Sequence, residues 1–234
     1  MTKGLFDVNR WMALFSVSDK YIAGFIMTLK VALAGLLLAL VLGVFFGMLS
    51  TTHSKICKVL SRIYVEFFQN TPLVIQVFFY YSCLPYVIGG RVPKFTLGVI
   101  GVGIYHGAYI AEVIRTGIEA VPKGQFEAAY SQGFTYVQTM RYIILPQTIK
   151  LIMPALANQT LNLVKNTSVL AMVAGFDLMY QADSWGSERG FFAQAYISCA
   201  LLYFCLCFPL AKLARYLEVR AKRTPVPKKR KEVA

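Results

Sequence analysis

The sequence predicts an all-α integral membrane protein that forms a single domain over residues 1–234, on two grounds. The chain is 57% apolar and only 15% charged, whereas soluble domains are about 45–50% apolar and about 25% charged. Its apolar residues also gather in runs, and Val31–Ser50 and Phe192–Ala211 contain no charged side chain at all. As a helix, each run would be about 30 Å long, which matches the hydrocarbon core of a bilayer.

Five transmembrane helices are predicted from these runs. Four of them are continuous and apolar, at about 21–49, 63–89, 95–114 and 191–215. The remaining one, the fourth in chain order, covers about 148–176 and contains the polar tetrapeptide Lys165-Asn166-Thr167-Ser168. Neither apolar half of this segment is long enough to span alone, but together they are.

Lys and Arg side chains predict the orientation of the spans. They concentrate between spans one and two, between spans three and four, and in a basic tail over residues 216–234. Cytoplasmic loops carry such an excess, so we expect the N-terminus outside and the C-terminus in the cytoplasm. This topology and an anionic inner leaflet explain the net charge of +13, and no nucleic-acid partner is expected.

Cysteine and acid–base patterns give no support for a metal site or an enzyme. The five cysteines form no CxxC pair and lie mostly in apolar runs, as small packing residues do. No His, Asp or Glu cluster has catalytic or metal-ligand spacing, and the isolated His106 is interpreted as a packing residue.

Two polar interruptions fall inside predicted spans. Pro72 removes a backbone donor and disfavours helix at the preceding residue, and Lys165 is a cation far from either end of its run. Broken helices with polar groups form the substrate sites of many transporters. The alternative is a kink with interhelical hydrogen bonds that only holds the bundle together. The candidate residues are Asn70, Thr71, Pro72 and Gln76 in the second span, and Lys165, Asn166, Thr167 and Ser168 in the fourth.

A polar stretch at about 123–142 is predicted to form two short helices in the cytoplasm. Gly133 is a typical helix stop, and Thr135-x-x-Gln138 has the pattern of a capping box that starts a second helix. Pro146 is expected to end or kink the segment after it. Small residues in the first helix permit close backbone contact, which favours docking into another protein over lying on the membrane surface.

The same stretch resembles a known signature. Glu127-Ala128-Ala129, followed by Gly133 and then by Ile143-x-Leu145-Pro146, is similar to the EAA motif in permease subunits of binding-protein-dependent ABC importers. The flanking segments resemble the polar amino-acid permeases, which serve histidine, glutamate, glutamine, arginine or opines. These segments read "VEFFQNTPLVIQ", "AYIAEVIRTGIEAVPKGQFEAA" and "PALANQTLNLVKNTSVLA", and the resemblance covers roughly residues 20–218.

The resemblance implies a role and a set of partners. Such a permease lies in the bacterial cytoplasmic membrane, pairs with an identical or homologous permease, and receives its amino acid from an external binding protein. Its short helices seat on a cytoplasmic ATPase dimer. Glu127 would be the polar anchor, Ala128 and Ala129 the small contact face, and Gly133 the turn. The two polar interruptions would lie on the translocation path.

The cargo and the energy source are the finer expectations. Many relatives carry Asp where this chain has Asn166, which favours a neutral or acidic cargo such as glutamine or glutamate. Because the chain has no G-x-x-x-x-G-K-[ST] phosphate loop, ATP and magnesium are expected on a separate ATPase, and this chain needs no cofactor. An ion-coupled secondary amino-acid transporter or channel subunit is the alternative, although no inverted repeat is detectable.

Overall fold

A computed structural model describes residues 7–223, and this part of the chain is helical with no strand. The α-helices are α1 (Val8–Phe15), α2 (Ser18–Thr51), α3 (Lys55–Gln69), α4 (Leu73–Ile88), α5 (Lys94–Glu119), α6 (Lys123–Ser131), α7 (Tyr136–Thr139), α8 (Leu145–Asn166), α9 (Leu178–Arg189) and α10 (Phe192–Arg223). A π-helical turn, Met140–Ile144, joins α7 directly to α8, and a 3₁₀ helix, Thr167–Val173, follows α8.

α2 and α5 pack closely at the centre of the bundle, since small residues line their contact. A Cβ atom added to Gly47 would lie 2.9 Å from the backbone oxygen of Ala111, so only glycine permits this approach. The main core surrounds this pair and includes Val31, Val102 and Leu163. α5 is consequently the most enclosed of the apolar helices that could cross a membrane within residues 7–223.

The candidate spans differ in part from the five predicted. Only α2, α5 and α10 are long and apolar enough to cross a bilayer by themselves within the described chain. The second predicted span, 63–89, contains the last part of α3 and all of α4. These two helices meet at an angle of 100° and are long and apolar enough to cross a bilayer only as a pair. The fourth predicted span, 148–176, covers most of α8 and the 3₁₀ helix after it. This segment is not among the helices that are long and apolar enough to cross a bilayer by themselves, because polar side chains interrupt its apolar surface.

The predicted last span, about 191–215, and the start of the predicted basic tail, 216–234, lie on one helix. α10 continues to Arg223, since nothing in this segment stops a helix. The rest of the predicted tail, residues 224–234, lies outside the described residues.

Two helices were not predicted from hydropathy, because both are short. The side chain of Asp7 accepts a hydrogen bond from the backbone nitrogen of Asn9 at 3.0 Å and caps α1. Asp177 caps α9 in the same way, through the nitrogen of Met179 at 3.1 Å. α9 packs against α2 and α10, and Trp185 lies at the centre of this second core.

Candidate functional site

The first polar interruption packs against the middle of α5. The side-chain amide of Gln69 donates a hydrogen bond to the carbonyl of Ala108 at 3.1 Å. The hydroxyl of Tyr109 lies 3.5 Å from the carbonyl of Gln69 and 3.1 Å from the hydroxyl of Tyr105. Of these groups, the carbonyl of Gln69 is one that the break leaves without a helical partner, and the Tyr109 hydroxyl covers it from α5, as membrane depth requires.

The second polar interruption reaches α5 through His106. Nδ2 of Asn166 lies 3.0 Å from Nε2 of His106, whose side chain is only 1% exposed. Within residues 7–223, Nδ1 has no hydrogen-bond partner. The imidazole is therefore a buried polar group in contact with the tetrapeptide.

A polar cavity of about 230 Å³ lies where α5 and α8 meet. Its walls offer two phenol groups, one imidazole, three amides and one ammonium group. This set can bind a small molecule that carries both hydrogen-bond donors and acceptors together with a carboxylate. The lining residues are Tyr105, His106, Tyr109, Gln159, Asn162, Lys165 and Asn166.

Lys165 also lines a second cavity, which is larger and mostly apolar. This cavity has a volume of about 540 Å³ and lies between the end of α8 and side chains of α9 and α10, among them Tyr196 and Phe204. Ser168 lies on its wall, and the Ser168 hydroxyl donates to the carbonyl of Lys165 at 2.8 Å. Lys165 therefore stands between a polar and an apolar cavity.

Thr167 is the exception within the tetrapeptide. Its side chain is 0% exposed, and its hydroxyl donates to the carbonyl of Val164 at 2.7 Å. Thr167 lines neither of the two cavities. Its hydroxyl satisfies the backbone at the point where the α-helix tightens into a 3₁₀ helix.

The candidate residues of the second span bind their own backbone. The buried amide of Gln76 donates to the carbonyls of Phe68 and Thr71, at 3.0 and 2.9 Å. Asn70 donates to the carbonyl of Glu66, and the hydroxyl of Thr71 donates to that of Phe67, both at 2.8 Å.

Pro72 is exposed and immediately precedes α4. None of Asn70, Thr71, Pro72 and Gln76 lines the polar cavity, and their contacts agree with the alternative interpretation of a hydrogen-bonded kink. The structure therefore brings Lys165 and Asn166 to the cavity but leaves the four second-span candidates outside it.

The polar stretch between the third and fourth predicted spans has the local geometry expected from its residues. Gly133 follows α6 with φ +82°, where a side chain would be strained. The nitrogen of Gly133 donates to the carbonyl of Tyr130 and that of Phe134 to Ala129, which is a Schellman motif. The predicted capping box of Thr135 and Gln138 is also present and starts α7.

The surface that these helices present differs from the predicted one. Glu127 and Ala128 are exposed, but Ala129 is only 2% exposed. Ala129 packs inside its own chain and cannot contribute to a contact face for a partner. It was expected to do so because the sequence could not show which side of α6 turns toward the rest of the bundle.

Pro146 does not end the helix. It lies in the first turn of α8, directly after the π-helical turn Met140–Ile144, and because it lacks a backbone donor it interrupts the hydrogen-bond ladder of the continuous helix there. Ile143 and Leu145 pack against the main core, and the amide of Gln147 lies 3.3 Å from the side-chain oxygen of Gln125 in α6. This part of the motif therefore fixes the short helices to α8.

Comparison with known proteins assigns the chain to a family. Residues 39–223 match the family of binding-protein-dependent transport system inner membrane components. The chain belongs to this family. As a member it is an inner-membrane transport subunit and not an enzyme, and ATP hydrolysis and substrate capture are the work of separate ATPase and binding-protein subunits.

Relatives of this transport subunit are similar over nearly its whole length. It is 46% identical over 211 residues to the probable glutamine ABC transporter permease protein GlnM of Bacillus subtilis (strain 168), covering 90% of this chain and 97% of that protein. It is 35% identical over 197 residues to the putative glutamine transport system permease protein GlnP of Rickettsia bellii (strain RML369-C), covering 84% and 90%.

A solved structure shows the same similarity in three dimensions. The crystal structure of an amino acid ABC transporter with histidines is 34% identical to this transport subunit. It superposes with a TM-score of 0.80 over 90% of this chain and 98% of that one. The all-helical membrane permease fold is thus confirmed.

Sequence reasoning missed several cavity residues of this transport subunit, although a signal for some of them was present. Gln159, Asn162 and Asn166 follow one another at spacings of three and four, which places them on one face of α8 together with Lys165. Tyr105 and Tyr109 likewise share a face of α5. What the sequence lacked was the pairing of these two faces, which only the packing of α5 against α8 supplies.

Proposed function

We propose that the chain forms the translocation path of an ABC importer for a polar amino acid, with glutamine or glutamate favoured as cargo. The observation that carries this proposal is the polar cavity between α5 and α8, where Lys165 and Asn166 meet His106. Relatives named for glutamine transport support the choice of cargo. The named solved relative, an amino acid ABC transporter, supports the broader substrate class.

The chemistry of the cavity fits a neutral or acidic amino acid better than a cationic one. Its lining includes the ammonium group of Lys165 but no Asp or Glu. A carboxylate of the cargo gains a charge-assisted hydrogen bond from Lys165, whereas a cationic side chain would meet a like charge. The amides of Gln159, Asn162 and Asn166 can both donate and accept, as the carboxamide of glutamine requires.

The short helices α6 and α7 are proposed to couple this path to the ATPase. Glu127 and Ala128 lie on their exposed surface, and Gly133 makes the turn between the helices. The chain is helical without a break from Tyr136 to Asn166, a distance of roughly 45 Å at the rise of an α-helix. A displacement of α7 would therefore be transmitted through this continuous helical segment to the cavity.

We also propose the arrangement of five spans, with the N-terminus outside and the C-terminus in the cytoplasm. In it the bent pair of α3 and α4 is the second span, and α8 with its 3₁₀ extension is the fourth. A second permease, identical or homologous, completes the path, together with an ATPase dimer. Cysteine labelling checks the orientation: position 183 should react from outside and position 123 only from inside, whereas the reverse pattern would contradict it.

Uptake into proteoliposomes tests the cargo and the energy source together. The permease is reconstituted with its ATPase and binding protein, and a panel of radiolabelled amino acids is supplied outside. We expect uptake of glutamine or glutamate that needs ATP inside and stops without the ATPase. Uptake that follows an ion gradient and needs no ATP would instead support the secondary-transporter alternative. ATP-dependent uptake of arginine alone would contradict the proposed cargo.

A further inference from the structure

An apolar groove lies between α1, the first turns of α2 and the first part of α10. Its volume is about 430 Å³. It shares no residue with the polar cavity and none with the short helices α6 and α7, so the proposed transport path leaves it unexplained. Its lining side chains include Phe15, Tyr21, Ile22, Phe25, Leu201 and Leu202.

Three polar side chains line the groove, Ser18, Tyr21 and Ser198, and the hydroxyls of the last two are engaged with backbone. The hydroxyl of Tyr21 donates to the carbonyl of Ala195 at 3.4 Å. The hydroxyl of Ser198 lies within hydrogen-bond distance of two carbonyls of its own helix, that of Ala195 at 3.1 Å among them. A polar ligand would lose its hydrogen bonds to water here without replacement, whereas an alkyl chain gains free energy when it is buried.

The groove opens onto an exposed apolar surface of helices that could cross a membrane. Both of its long walls, α2 and α10, are helices that can cross a bilayer, and α10 is the least buried of the candidate spans within residues 7–223. On α2 the apolar surface continues from Ile22, 58% exposed, to Ile26, 44% exposed. Asp19 and Lys20 begin α2 at one end of the groove, where charged side chains belong at headgroup depth.

We propose that this groove binds one acyl chain of a membrane phospholipid. The headgroup lies beside Asp19 and Lys20, and the chain runs between α2 and α10. The part of α2 that lines the groove, Ser18–Phe25, is about 10 Å long at the rise of an α-helix, so the groove holds a segment of the chain. Phe15, which is 77% exposed, covers that segment from α1.

Photo-crosslinking tests this assignment on the assembled transporter. The complex is placed in nanodiscs of phosphatidylethanolamine and phosphatidylglycerol that contain a small fraction of phospholipid with a diazirine in its acyl chain. After illumination, labelled peptides are mapped by mass spectrometry. We expect label concentrated on the peptides that contain Phe15–Phe25 and Ser198–Leu202, above the level on the lipid-facing middle of α2.

Two tryptophan variants on one helix separate the groove from the general lipid surface. Leu201 is 59% exposed and lines the groove, so Leu201→Trp should fill it and abolish the concentrated label. Ile197 lies one turn away on α10, is 40% exposed and is not among the groove-lining residues. Ile197→Trp should therefore keep the label.

Three results would overturn the assignment. Label spread evenly over α2 and α10 would show ordinary contact with the bilayer, and label that survives Leu201→Trp would place the lipid elsewhere. A cysteine at position 201, in a background without other cysteines, that cross-links to a second permease chain would make the groove a protein interface. None of these measurements depends on which cargo the permease carries.

Discussion

Asn166 and His106 are 60 residues apart in the chain, yet their side chains meet at 3.0 Å. This contact joins the end of α8 to the middle of α5 at the polar cavity. It holds the carboxamide of Asn166 at the wall of that cavity.

Lys165→Ala should weaken uptake of the cargo. The change removes the cavity's ammonium group, and a hydrogen bond to a charged group is worth about 1.5–3 kcal/mol, so the apparent affinity should fall by about tenfold or more. Lys150→Ala is the matched control, since Lys150 is an exposed cation on the same helix and is not part of the cavity lining. Uptake kinetics in proteoliposomes measure both, and equal kinetics for the two variants would remove Lys165 from the path.

Asn166→Asp should shift the choice of cargo toward cationic amino acids. The substitution preserves shape but places a carboxylate in a cavity that otherwise has none among its lining residues. A carboxylate attracts a cationic side chain and repels an acidic one. The ratio of arginine to glutamate uptake, measured on one preparation, should rise. An unchanged ratio would show that Asn166 does not contact the cargo.

Gly133→Ala should impair the coupling of ATP hydrolysis to transport, whereas Gly124→Ala should not. Gly133 has φ +82°, and a residue with a Cβ atom is disfavoured there by about 1–2 kcal/mol. Gly124 lies in α6 with an open surrounding, where alanine favours the helix by about 1 kcal/mol. Transport per ATP hydrolysed is the measurement. If the Gly133→Ala variant transports as much cargo per ATP as the wild type, the turn at Gly133 does not take part in coupling the ATPase to the transport path.

Gln76→Leu should destabilise the bent pair of helices. The substitution leaves the carbonyls of Phe68 and Thr71 without the amide that satisfies them, at about 1–3 kcal/mol for an unsatisfied buried group. Asn70→Ala, in the same break, removes only an exposed hydrogen bond and should have a smaller effect. Thermal unfolding of the purified complex measures both. A midpoint for Gln76→Leu no lower than that for Asn70→Ala would show that another group holds the bend.

Helix stops, caps and breaks could be predicted from the sequence, because residues close together in the chain determine them. Gly133 and the Thr135–Gln138 pair specify a helix stop and a capping box through their own backbone and side-chain bonds. Pro72 breaks the second span because it lacks a donor. Long charge-free runs predicted the helices that can cross a bilayer, since the cost of burying charge in lipid applies to each residue separately.

Features that depend on contacts between distant parts of the chain were decided by the tertiary structure. The burial of Ala129 and the 100° angle between α3 and α4 depend on which surfaces pack together. The cavity itself arises only where α5 and α8 meet. The sequence by itself determined that this is a helical membrane transport subunit with two polar interruptions. Packing decided that Lys165 and Asn166, and not the residues around Pro72, line the polar cavity, because distance along the chain does not set distance between helices.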